Sequence, residues 1–490
     1  MSALWGKIFN LGRFSLPTLV VVTSFGCAVG PDFRPPRVEA PAAWSGQEVV
    51  TAAQESRTTT DPAQLTAWWR NFKDPTLTSL VETALEVNLD LAQAEARIRQ
   101  ARAARGVAGA GLWPEVQSSV FHQRSSGSSA AVSSGGTPVV TSAAATRDLF
   151  QVGLDASWEL DIFGGTRRTL EAASADLQAA VEDRRDVLVT LAGEVGTNYL
   201  TLRGIQQQLA IARRNLEAQQ KTARITHKRF EAGFVSRLDV VNADAQVANT
   251  TAQIPLLESS ARAAIYSLGV LLGQNPGSLE NMLSRPQEIP PSPPEIPVGL
   301  PSDLLRRRPD IRRAEAQVHA ATARIGVATA DLFPRFFLTG KGGFSAREIN
   351  FLGTTDSNFW SFGPSVTWPI FAGGRIRWNI ALQEARQEEV LLNYQKTVLT
   401  ALKDVETALV AYAKEQEHRQ SLVQAVENNR RAVELSMKLY LAGKTDFLNV
   451  LTAQRQLFVN EEALVQSTRT LATNLIALYK ALGGGWERES

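Results

Sequence analysis

The sequence has 490 residues with 51 basic and 49 acidic side chains, a formal charge of +2, so its charge balance gives no case for a nucleic-acid partner. A hydrophobic share of 44% with 20% charged residues suits folded domains with buried cores and excludes global disorder. One cysteine, four scattered histidines (His122, His227, His319, His418) and no nucleotide loop, serine elbow or zinc helix argue against an enzyme and against a metal or redox cofactor.

Residues 1–26 carry Lys7 and Arg13, then the apolar stretch Phe14–Val22, then small residues before Cys27. Basic, apolar and small segments in that order read as a secretory signal. Cys27 directly after it resembles a bacterial lipoprotein acceptor site, where a covalent lipid would anchor the mature chain, although Ser24-Phe25-Gly26 departs from the usual Leu-small-small approach. No later segment reaches the ~18 continuous apolar residues of a spanning helix. A membrane crossing, if there is one, must therefore use strands.

The chain repeats itself. AEARIRQARAARGVAGAGLWP (94–114) aligns with AEAQVHAATARIGVATADLFP (314–334), DIFGGTRR (161–168) with PIFAGGRIR (369–377), RFEAGFVSRLDV (229–240) with LYLAGKTDFLNV (439–450), and LGVLLG (268–273) with LYKALG (478–483). The spacing far exceeds a solenoid unit of ~20–50 residues, so the pattern is one duplication of a large module. The chain thus divides into a signal (1–26), an extended, lipid-anchored segment (27–76), a first repeat (77–273), a proline-rich connector that cannot be helix (274–301), a second repeat (302–483) and a tail (484–490).

Each repeat reads helix, strand, loop, strand, long helix, tight turn, helix. Alternation predicts strands at 149–162 and 359–370, where even positions such as Val152, Leu154, Trp158, Trp360, Phe362 and Val366 are apolar; weaker alternation marks 114–123 and 334–344. Proline-free runs at 166–232 and 375–442 predict helices of about 67 residues, ~100 Å at the helical rise. Leu188, Val195, Leu202 and Leu209 at seven-residue spacing give the first a coiled-coil seam. Gly233 and Gly443 end these helices, and Ser236 with Asp239 has capping-box spacing for a return helix running to 272. Thr445 is the equivalent start in the second copy, whose return helix runs to 482. A single helix is expected over 302–331.

Four strands of bilayer-spanning length cannot close a barrel with a usable interior, and an open sheet in lipid leaves backbone groups unpaired. More than one chain must therefore share a barrel; the number is not fixed by this argument. A soluble coiled coil with two small sheets explains the heptads equally well. It gives no role to the signal or to aromatic residues near the strand ends (Trp113, Trp158, Phe163, Phe333, Trp360, Trp368), which suit interface girdles.

CAVGPDFRPP (27–36), WWRNFKDPTLTSLVETALEVNLDLAQAEARI (68–98), RRPDIRRAEAQV (307–318), the GGR after the second and fourth strands in its two variants, and YKALGGGW (479–486) together resemble the TolC-type outer-membrane efflux proteins, in their lipoprotein branch. The resemblance implies a mainly α fold with a transmembrane β part. Three chains would form a twelve-stranded barrel in the outer membrane, continuous with a periplasmic α-helical coiled-coil barrel. It implies a passive exit duct working with a periplasmic adaptor (membrane fusion) protein and an inner-membrane RND-type transporter.

The resemblance also implies roles at the helical tips. Leu448, Asn449, Thr452 and Arg455 match aperture positions, although relatives often carry acids where Asn449 or Thr452 stands here. Asp239 and Tyr440 match latch positions. The turns containing Gly233, Ser236, Gly443, Lys444 and Thr445 would meet the adaptor. The outer-membrane exit of a type I protein-secretion system and a non-conducting, periplasm-spanning scaffold remain open as alternatives.

Overall fold

A computed structural model describes residues 28–38, 41–45, 57–59, 63–126, 146–293 and 295–487. The signal, Cys27 and most of the 124–147 loop lie outside the described residues. The elements in chain order are β1 (Arg57–Thr59), α1 (Ala63–Thr66), a 3-10 turn (Trp68–Phe72), α2 (Pro75–Val87), α3 (Leu89–Ala110), β2 (Glu115–Ser126), β3 (Thr146–Leu160), α4 (Gly165–Glu231) and α5 (Arg237–Leu271). Then come α6 (Glu280–Leu283), β4 (Glu295–Pro297), α7 (Pro301–Arg307), α8 (Pro309–Ala330), β5 (Arg335–Ala346), β6 (Asn358–Thr367), α9 (Arg375–Leu441) and α10 (Phe447–Ala481). The chain is mostly helical and divides into two compact units, one holding the four long strands and the other the long helices. Among the described residues, no helix is long and apolar enough to cross a membrane.

The strand unit is one antiparallel sheet in the order β2-β3-β5-β6. Glu115 pairs with Ser157, Phe150 with Ala346 and Arg335 with Thr367. Every pair joins residues of equal parity, so all even-numbered positions share one face. That face carries Val116, Val120, Val152, Leu154, Phe336, Leu338, Phe362 and Val366. The other carries Gln117, Ser119, Asp155, Ser157, Thr339, Lys341, Ser361 and Ser365, with Lys341 Nζ 3.1 Å from Asp155 and Ser119 donating to Asp155 at 3.0 Å. Gly153 faces Gly343 across the ladder, where a Cβ on Gly343 would stand 2.2 Å from the Val152 carbonyl.

The helical unit holds two helices of 67 residues (α4, α9), two of 35 (α5, α10) and two of 22 (α3, α8). Its main core gathers around the Trp-Trp turn. Trp68 stacks on Tyr479 with centroids 5.4 Å apart and meets Trp69 and Phe72 edge-on, all four rings being buried. The following Lys-Asp-Pro starts α2, with Asp74 accepting from the Thr76 and Leu77 amides and Pro75 in the first turn. The other Asp74 oxygen accepts the Tyr199 hydroxyl at 2.6 Å, tying this turn to α4. Buried Arg203 donates to Gln206, Gln287 and the Arg285 carbonyl, tying the connector to the same helix.

Several expected boundaries shift. The strands cover 115–126, 146–160, 335–346 and 358–367, rather than 114–123, 149–162, 334–344 and 359–370. The helix expected over 302–331 breaks at Arg308, because Pro309 drives the preceding residue to extended geometry (ψ 123°). Asn88 makes the matching break between α2 and α3, its Oδ1 accepting from the Asp90 and Leu91 amides. Part of the connector is helical after all: Pro276–Leu283 forms a 3-10 turn and α6, ahead of the proline cluster. The segment 27–76, expected as extended, contains β1, paired in parallel with β4, and helical turns from Ala63 to Phe72. Asp446 holds the N-cap position of the second return helix without a side-chain capping bond and the helix begins at Phe447, so Thr445 lies one residue outside the position expected for it.

Candidate functional site

Both hairpin tips end in the same backbone motif. Gly233 (φ 78°) and Gly443 (φ 71°) take left-handed geometry, which glycine adopts without a Cβ penalty. The Phe234 amide donates back to Arg229 O at 2.8 Å and the Lys444 amide to Leu439 O at 2.9 Å, closing the last carbonyls of α4 and α9. Ser236 and Asp239 form a full capping box: Ser236 N to Asp239 Oδ2 at 3.0 Å, and Asp239 N to Ser236 Oγ at 3.3 Å. Asp239 is thus engaged within its own hairpin. In the second tip, Asn449 instead donates its side-chain amide to Thr445 Oγ1 at 2.7 Å.

Tyr440 is buried, 2% exposed, in a cluster with Ala223, Ala243, Phe447, Val450 and Leu451. Its hydroxyl has no hydrogen-bond partner among the described residues. Arg229 joins the two tips. It donates to Tyr440 O at 3.0 Å and Leu441 O at 3.2 Å, and its guanidinium lies 4.6 Å from the Tyr440 ring centroid. Sequence reasoning missed this residue; a basic side chain in the last helical turn, suited to exposed carbonyls, was the available signal.

The four expected aperture residues lie together. Leu448, Thr452 and Arg455 follow helical spacing on one exposed face of α10, with Asn449 beside them, while Phe447, Val450, Leu451 and Phe458 turn inward. Leu448 is 62% exposed despite its apolar side chain. No acid stands among the four.

A cleft of about 420 Å³ in the helical unit is lined by Asp186, Arg308, Asp310, Lys403, Asp404 and Lys480 among others. Most of its charges are paired in place, Arg308 lying 2.7 Å from Asp310 and 3.6 Å from Asp404, and Arg313 3.1 Å from Asp186. Burial nonetheless raises the Asp186 carboxyl above the usual range. Paired charges of this kind hold helices in register and present no nucleophile with a base.

A four-stranded sheet with one apolar and one polar face, combined with long helical hairpins, is matched by known proteins. The outer membrane efflux protein family matches residues 80–274 and 300–484. The chain belongs to that family. It is 37% identical to the pyoverdine export outer membrane protein OpmQ of Pseudomonas aeruginosa, across 88% of this chain and 89% of that protein. It is 30% identical to the probable outer membrane lipoprotein SilC of Salmonella typhimurium, across 98% of this chain and 100% of that one. The solved outer-membrane channel OprN superposes with a TM-score of 0.85 at 38% identity, covering 94% of this chain and 100% of that chain. This efflux protein is therefore an outer-membrane exit channel, and its two-faced sheet is the part suited to lipid.

Proposed function

We propose that the chain is the passive outer-membrane duct of a tripartite efflux pump, conducting drugs or other small toxic compounds delivered by a periplasmic adaptor and an RND-type inner-membrane transporter. The observation that carries the reading is the sheet: four strands with lipid-suited and water-suited faces and two unpaired edges, β2 and β6, among the described residues. Three copies supply twelve strands, within the even-numbered range of outer-membrane barrels. Closure leaves no edge exposed to lipid. A lipid on Cys27 adds an anchor, as the lipoprotein name of the relative SilC supports. Equal helix lengths in the two halves support a duplicated module. The protein acts as a conduit rather than an enzyme, and energy comes from its partners.

The tips form the regulated end. Leu448, Asn449, Thr452 and Arg455 narrow the aperture, supported by their shared exposed face at the start of the helix. Tyr440 and Asp239 secure the resting arrangement, the first from the cluster between the tips and the second from the cap of α5. The glycine turns at Gly233 and Gly443, with Ser236, Lys444 and Thr445, receive the adaptor. Opening is a shift between two packings of the tips, with the adaptor binding the open one better. Leu448→Ala removes the bulkiest apolar aperture side chain and should raise the influx of large antibiotics into cells expressing the assembled channel. Unchanged influx with normal assembly contradicts the gate.

A further inference from the structure

The glycine-arginine motif that follows β3 does more than start a helix. Asp161 caps α4, accepting from the Thr166 amide at 3.1 Å and the Arg167 amide at 2.8 Å, and the Arg167 side chain returns to the same carboxylate at 3.2 Å. The next arginine turns to the N-terminal segment. Arg168 is only 4% exposed. Its Nε donates to the Val29 carbonyl at 3.2 Å, and its Nη2 makes a longer contact of 3.5 Å with the Gly30 carbonyl. In return the Val29 amide donates to the Phe163 carbonyl at 3.0 Å. A buried cation on main-chain carbonyls is a strong, sequence-independent hold on that short peptide.

The fit is close enough to demand particular residues. A Cβ on Gly30 (φ 87°) would stand 2.4 Å from the Gly326 Cα on α8, and one on Gly164 (φ 81°) 2.7 Å from the Ala28 Cα. A Cβ on Gly326 would meet the Arg168 side chain at 2.9 Å. The duplication supplies its own comparison, in which Gly374, Trp378 and Gly106 are the equivalents of Gly164, Arg168 and Gly326. Gly374 has the same left-handed geometry (φ 84°) and accepts from the Trp378 amide at 3.0 Å, as Gly164 does from the Arg168 amide at 2.8 Å. The backbone frame is therefore shared. Its occupant is not: among the described residues nothing lies within 4 Å of a Cβ added to Gly106, and Trp378, in the place of the buried arginine, is 77% exposed.

We infer that Gly164, Arg168 and Gly326 form a seat for the chain's own N-terminal segment, binding Ala28-Val29-Gly30 through its backbone. The ligand chemistry is an extended peptide with glycine where α8 comes closest. Cys27 adjoins this peptide in the chain. On the lipoprotein reading, Ala28–Gly30 are the second to fourth residues of the mature protein, and the seat decides where the acylated end is held: at the β3–α4 junction, beside the Phe163–Phe333 stack with its centroids 4.5 Å apart. The seat itself needs no lipid; only this consequence rests on acylation of Cys27.

Hydrogen exchange, read by mass spectrometry on the assembled full-length protein, tests it. The Val29 amide should be protected in the unsubstituted protein. Gly30→Ala and Arg168→Ala should each speed its exchange ~tenfold or more and leave the four-stranded sheet as slow as before. Gly106→Ala, at the equivalent glycine, should leave Val29 protected. Should Arg168→Ala loosen the sheet as well, Gly30→Ala alone decides, since Gly30 lies outside every strand and helix. Free exchange of Val29 in the unsubstituted protein, unchanged exchange in Gly30→Ala, or equal release by Gly106→Ala overturns the seat. The mass of the same N-terminal peptide reports acylation of Cys27. An unacylated peptide with a protected Val29 removes the consequence for the lipid and leaves the seat standing.

Discussion

Tyr199 shows how much one side chain can be asked to hold. Its ring is fully buried beside Arg203, and its hydroxyl donates to the carboxylate that caps α2. Burial, and then the hydrogen bond to Asp74, push its pKa up from 10.0 to about 12. Burial against the Trp68 ring pushes Tyr479 to about 12 as well. Both phenols are stabilised neutral by the fold, so their contribution is complete below the unfolded value near 10 and is lost as pH rises through 12. The melting temperature of the detergent-extracted protein should therefore fall over that interval. A Tyr199→Phe, Tyr479→Phe double variant should start lower, having lost the bond to Asp74, and fall less steeply; an identical slope would assign the alkaline loss to other groups. Arg229 works at the same scale in another way, since its two carbonyl contacts form only when both tips are folded together.

Among elements, two glycines separate two kinds of requirement. Gly443 closes α9 in left-handed geometry with nothing within 4 Å of an added methyl group, so Gly443→Ala carries only backbone strain of about 1–2 kcal/mol. Gly343 lies against the β3 backbone, and a methyl group there would strike the Val152 carbonyl at 2.2 Å. Gly343→Ala should abolish the multi-chain native species, whereas Gly443→Ala should retain it and speed hydrogen exchange at the second tip. Normal assembly of Gly343→Ala would contradict the observed β3–β5 approach. The sheet's two faces are legible in sequence because alternation needs only backbone geometry, and Val152, Leu154, Phe362 and Val366 all fall on the face expected of them. Strand ends are less legible: Trp158 and Trp368 hydrogen-bond back across the hairpin, a contact that no local pattern announces. The break at Arg308 is written in Pro309, whose demand on the preceding residue outweighs the helix-forming residues on either side. The start of α10 is easily misplaced because Thr445 offers a cap-like hydroxyl, while Asp446 occupies the position that Ser236 takes in the first hairpin. Among the tip residues, the common exposed face of Leu448, Thr452 and Arg455 follows from spacing, but Arg229 depends on a helix end more than two hundred residues away.

At the scale of the molecule, one chain is incomplete by its own chemistry. Among the described residues, β2 and β6 leave their outer backbone groups without strand partners, and one face of the sheet is rich in apolar residues, with His122, Arg124 and Asp148 toward one end of the β2–β3 hairpin. In lipid such edges cost several kcal/mol for each unpaired group, a penalty that only closure relieves. Family membership and the OprN superposition assign the molecule to outer-membrane efflux, and the open edges of the sheet are the physical ground for the proposal that several copies share one barrel. The most direct test is the native mass, in mild detergent, of protein taken from the outer-membrane fraction. With 53.3 kDa per chain before the signal is removed, three processed chains make a species of about 150 kDa of protein, which is the expected result. A folded, processed protein that runs as a single chain, or that is found outside the outer membrane, would contradict the shared barrel and the export duct built on it.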